Sequence, residues 1–83
     1  MVLLTLNKMI KTDYILPEKQ NDKFIQGYVC AVCVMIKLDG MVETRTREMY
    51  RAGIGQLTIT ALKERRVDKN DLETLEEFWH DLH

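Results

Sequence analysis

The chain of 83 residues contains no serine, one proline, four glycines and two cysteines. Each scarcity excludes something. Without serine, the commonest hydroxyl nucleophile is missing, and both histidines, His80 and His83, stand at the C-terminal tail, so no base is placed near a plausible nucleophile. One proline and four glycines are too few for a many-stranded β fold, whose turns call on those residues repeatedly. Two cysteines make no disulfide framework and suit a reducing compartment, so the expected location is the cytoplasm. A net charge of −1 lacks the basic excess needed for a sequence-independent grip on nucleic-acid phosphates.

A long hydrophobic run is missing too. Residues 24–38 (FIQGYVCAVCVMIKL) are too few to span a bilayer and contain Gln26 and Lys37. The N-terminal MVLLTLNKMIK has no charged leading region and no small-residue cleavage site, so it does not read as a signal peptide. Met9 is a second candidate start, which would make the first eight residues an upstream extension. No membrane partner is expected.

What is present is a small soluble domain. Apolar content of 46% beside 30% charged residues is that of a chain that folds, and 83 residues bury a modest core. The expected organisation is an N-terminal arm or short strand over residues 1–16 and one helical domain over residues 17–83. The residue before Pro17 is pushed towards extended backbone. A helix then starts at Pro17, or later with Asn21 or Asp22 as its cap.

Residues 24–38 read as the buried central helix of the fold. Ile25, Val29, Val32 and Ile36 recur at helical spacing, and Phe24, Tyr28, Met35 and Leu38 widen that face. Gly27, Cys30 and Ala31 supply a small-residue side where a second helix is expected to approach closely. Ala31→Leu is then expected to cost about 1–3 kcal/mol by overpacking. The alternative is an α+β fold with a hairpin turning at Asp39-Gly40, a strong turn signal next to β-branched residues. Helix is preferred because the run lacks period-2 alternation, and Asp39-Gly40 then becomes a helix stop.

The following helix opens at Glu43 or Thr44, with Met49, Val42 and Ala52 inward and the arginines outward, and breaks at Gly53 and Gly55. A third covers residues 57–66, with Leu57, Ala61 and Leu62 inward. The last starts at Asp68 as cap, with Val67 and Leu72 as a hydrophobic staple and Leu72, Leu75, Trp79 and Leu82 as one stripe. The reading is therefore an all-α bundle of about four helices around a buried central one.

No catalytic, cofactor or metal site is expected. Cys30 and Cys33 form a C-x-x-C and His80 and His83 an H-x-x-H, but the cysteines lie inside an apolar helix, where thiols act as small hydrophobes. The carboxylates fall on solvated faces. Gly53-Ile54-Gly55 lacks the Lys-Ser/Thr of a phosphate loop. No enzyme is indicated.

Residues 48–66 (EMYRAGIGQLTITALKERR) resemble the helix-turn-helix of bacterial and phage regulators, with Gly53 as the turn glycine and Ile59 and Leu62 buried. That resemblance implies Gln56, Thr58 and Thr60 at base edges or phosphates and Lys63, Arg65 and Arg66 on the DNA backbone. It departs at Met49, where the family has a small residue, and at Gly55.

GYVCAVCVMIKLDG, the Thr46-Arg47-Glu48 helix and LKERRVDKNDLETLEEFW resemble short accessory proteins of phages and mobile elements, a group with no agreed function. The resemblance implies a small all-α domain that binds a host or self component. Arg45, Arg47 and Arg51 on one side and Glu73, Glu76, Glu77 and Asp81 on another would make the molecule electrically two-sided, which can steer a protein partner or favour a homo-oligomer. The expected function is a non-enzymatic protein-binding accessory or regulatory domain. A DNA-binding regulator is the alternative.

Overall fold

The computed structural model describes residues 20–83, which form five helices and no strand. Helix α1 spans Asp22–Asp39, α2 Thr44–Gly53, α3 Ile59–Glu64, α4 Lys69–Glu77 and α5 Trp79–Leu82. The arm or strand expected over residues 1–16, and a helix start at Pro17, lie outside the described residues. No hairpin turns at Asp39-Gly40.

Local chemistry sets both ends of α1. Asn21 accepts the Phe24 N–H at 2.8 Å, filling an otherwise unpaired donor of the first turn, and Asp22 follows near the positive end. At the far end Gly40 takes the left-handed conformation (φ 71°), and its N–H donates to the Ile36 carbonyl at 2.8 Å. Asp39-Gly40 is a helix stop.

One face of α1 makes the centre of the core: Ile25, Val29, Val32, Cys33 and Ile36 are all buried. They meet Tyr50 and Ile54, Leu62 and Val67, Leu72 and Leu75, and Leu82. Helix α1 packs on α2 and α4, while α3 is carried by α4 and α5 by both α2 and α4. The helix is central, but it is not buried all round. Phe24, Cys30, Ala31, Val34 and Leu38 are exposed, as is Gly27, where an added Cβ would meet nothing within 4 Å. The small-residue side faces water because the described helices cover only one face. Ala31→Leu is therefore expected to change stability by no more than about 0.5 kcal/mol, as surface substitutions do. Thermal unfolding checks this.

The close helix approach occurs elsewhere. The Tyr28 ring lies directly over Gly53 at the end of α2, and its hydroxyl donates to the Met49 carbonyl. The small residue is thus on α2, not on α1. With Gly53 beneath that ring, α2 turns Thr46, Tyr50 and Gly53 inward. Val42 and Met49, expected inward, are half-buried and do pack against the core, and Ala52 is half-buried.

Helix α3 has six residues, shorter than expected, because Thr58 is its cap: Thr58 Oγ1 accepts the Ala61 N–H at 3.1 Å. Its end is a Schellman motif. Arg66 N–H donates to the Lys63 carbonyl and Val67 N–H to the Leu62 carbonyl, with Val67 and Leu62 both buried. The motif holds Arg66 at φ 62°, a conformation that suits glycine. Arg66→Gly is expected to stabilise the fold by about 1 kcal/mol, read as a higher denaturant midpoint at unchanged slope.

Helix α4 starts as expected, with Asp68 Oδ2 accepting the Asn70 N–H at 2.9 Å and Val67 and Leu72 both buried. The expected continuous helix breaks at Phe78 (φ −103°, ψ 20°). Thr74 is buried one turn earlier and donates back to the Asn70 carbonyl at 3.1 Å, a bond that bends helices. The four residues of α5 then carry Leu82 into the core.

Candidate functional site

The most distinctive surface is the outward face of α1. Phe24 is 40% exposed, Val34 47%, Leu38 78% and Met41, just past the helix, 55%. Phe24, Ala31 and Leu38 follow each other at seven-residue intervals, so they lie nearly in line along the helix, with Gly27 and Val34 beside them. A helix of 18 residues extends about 27 Å. This second apolar stripe points away from the core. Lys23 and Lys37 flank it, and no charged side chain lies on it.

Met41, exposed just past the Gly40 cap, lines an open groove of about 360 Å³ with Val42, Arg47, His80, Asp81 and His83. Of the two charged sets, only Arg47 and Asp81 meet in this groove, where α2 packs on α5. Arg45 is exposed. Arg51 Nε donates to the Leu82 carbonyl at 3.2 Å and its Nη2 to the His83 carbonyl at 2.7 Å, so its guanidinium ties α2 to the end of α5. Glu73, Glu76 and Glu77 are exposed on α4.

His83 is held in place by two contacts. Its Nδ1 lies 3.0 Å from the Trp79 carbonyl, which can only accept, so Nδ1 carries a proton. In the neutral ring Nε2 is then the acceptor for the Tyr50 hydroxyl, 3.1 Å away. The ring also sits 4.1 Å from that of Trp79 and edge-on to Tyr50. Sequence spacing gives no signal for the meeting of Tyr50 with His83, 33 residues apart, whereas Trp79 and His83 are four apart.

The two cysteines diverge. Cys30 is exposed and Cys33 is buried, so the expectation that both are packed thiols holds for Cys33 only. Cys33 Sγ approaches the Asp71 carbonyl at 3.5 Å. Burial, then the Asp71 charge, pushes the Cys33 thiol up to about 12. Burial alone pushes Tyr50 up to about 12. Burial, then Asp68, raises the Asp71 carboxyl. Among the described residues, no three or more His, Cys, Asp or Glu side chains gather as a metal would require.

An acid whose pKa is raised by folding leaves stability intact below its unfolded pKa and removes it as pH climbs towards the folded value. Stability is accordingly expected to fall between about pH 9 and about pH 12 as Cys33 and Tyr50 ionise preferentially in the unfolded chain. Cys33→Ala should flatten part of that slope in alkaline denaturation curves. At neutral pH, iodoacetamide should label Cys30 and spare Cys33.

Of the residues of the helix-turn-helix resemblance, Thr58 and Arg65 take structural tasks and the other four are exposed. Gln56, Thr60, Lys63 and Arg66 are exposed, but Thr58 serves as the α3 cap. Arg65 donates to the Gln20 carbonyl at 2.7 Å, stands 3.9 Å from Asp22, and accepts Gln26 Nε2 on its own carbonyl at 2.9 Å. It pins the loop after α3 to the start of α1. Helix α3 packs chiefly on α4, not on α2.

No family model matches the chain, nor does any curated protein or solved structure. No helix among the described residues is long and apolar enough to cross a membrane.

Proposed function

We propose that the protein is a non-enzymatic accessory or regulatory domain, of the kind phages and mobile elements carry, which acts in the cytoplasm by binding a protein of the host or itself. The observation that carries the reading is the outer stripe of α1, with Phe24, Val34 and Leu38 exposed in helical register, and Met41 exposed just past the helix. Isolated apolar side chains on a surface mean nothing. An aligned set on the helix opposite its own core face is the pattern of a contact surface. The adjoining groove adds Arg47, His80 and Asp81, polar groups of both signs at the rim of an apolar strip, as protein interfaces have.

Affinity capture from the native host tests the reading. Wild type is expected to retain a protein that Val34→Asp plus Leu38→Asp loses, while circular dichroism and thermal midpoint stay unchanged. Equal recovery by both would overturn it. Electrophoretic retention at low salt tests the DNA alternative, and none is expected. Salt-sensitive retention lost on Lys63→Ala plus Arg66→Ala would replace the present reading with that one.

A further inference from the structure

We infer that the occupant of the α1 outer stripe is a second copy of this chain, paired antiparallel about a twofold axis beside Ala31; this rests on reading that stripe as a protein-binding surface. The argument is the symmetry of the stripe. Phe24 and Leu38 stand seven residues before and after Ala31. An antiparallel copy turned about Ala31 lays each Phe24 against the other's Leu38, with Ala31 meeting Ala31 at the centre. Val34 then falls over Gly27 of the copy, the place where a Cβ meets nothing within 4 Å. Bulky ends, a small middle and a projection matched to a gap make one patch complementary to itself, which a twofold dimer requires.

Electrostatics permits the pairing. The stripe carries no charge, so no ion is buried. Lys23 of each copy comes beside Lys37 of the other on the wet edge, a like-charge pairing that water and salt screen and that makes the dimer tighten as salt rises. Size limits its strength. One helix pair lies at the small end of specific interfaces, so a weak, concentration-dependent dimer is expected.

Cys30 supplies a second handle. It is exposed beside Lys23 and Lys37 on the same edge of the stripe, and helices in contact lie about 8–10 Å apart. The twofold keeps both Cys30 thiols on one side of the pair, within reach of a short bismaleimide. Buried Cys33 stays unreacted.

Sedimentation equilibrium of the full chain from about 5 µM to about 1 mM is the test. Wild type is expected to pass from monomer to dimer, and the bismaleimide to trap a dimer that Cys30→Ser abolishes. Val34→Asp and, separately, Gly27→Leu are expected to remain monomeric and folded by circular dichroism, Gly27→Leu with a thermal midpoint no lower than wild type because leucine suits a helix better than glycine. A wild type that stays monomeric throughout overturns the self-pairing alone, and the capture experiment then decides whether a different protein uses the stripe. A dimer that survives both substitutions also overturns it, since another surface is then responsible.

Discussion

Gly53→Ala is expected to destabilise the fold by about 1–3 kcal/mol, the usual cost of forcing extra atoms into a filled site. The added Cβ would overlap Cζ and Cε1 of Tyr28 and crowd its hydroxyl. The ring would have to swing away, breaking its bond to the Met49 carbonyl and opening the seam between α1 and α2. Alanine is intrinsically better than glycine in a helix by up to about 1 kcal/mol, so overpacking must outweigh that gain. A double-mutant cycle isolates the cause. On a Tyr28→Ala background, Gly53→Ala should cost nothing or become mildly stabilising. If its cost persists without the ring, the contact is not the reason for the glycine.

Tyr50→Ala should be the most damaging single truncation, at about 3–5 kcal/mol. Tyr50 is the largest fully buried side chain and the inward residue of α2 next to Gly53. Its hydroxyl meets His83 while its ring rests in the core. Small domains hold only about 5–15 kcal/mol in total, so this change should leave a chain close to unfolding at ambient temperature. Tyr50→Phe separates the two roles. It keeps the ring and is expected to cost about 1 kcal/mol for the lost hydrogen bond. Comparable losses for the two variants, by urea titration, would show that the hydroxyl and not the packing dominates.

The elements that could be read in the sequence were those with local chemistry at their ends. Asn21, Gly40, Asp68 and the Val67–Leu72 pair do what their residue types prefer, within a few residues of themselves. Ile25, Val29, Val32 and Ile36 face the core as their spacing indicates. Hydrophobicity alone could not tell a second core face of α1 from a solvent-facing one, because both are apolar and only the supply of covering helices separates them. The inward face of α2 was hidden for a different reason. It is set by Gly53 accommodating a ring 25 positions earlier, and it buries Thr46, whose Oγ1 has no partner among the described residues. Nor does a threonine at position 74 announce a break at Phe78.

Of the candidate site, the charged residues were legible as exposed groups, but their relations were not. Arg51 and Arg65 look like free surface cations in the sequence and instead hold backbone carbonyls 31 and 45 residues away. Such long-range bonds have no periodic signature.

The break at Phe78 also shapes motion. A helix of four residues cannot sustain itself, so α5 persists only while Leu82 stays in the core and Tyr50 and Arg51 hold its end. Its opening needs none of the contacts between α1 and α4 to break. The last turn is therefore a natural unit of partial unfolding, closing and opening as one piece while the rest stays folded. The groove it shares with Met41 and Arg47 would widen each time it opens, on a clock slower than side-chain rotation and faster than global unfolding.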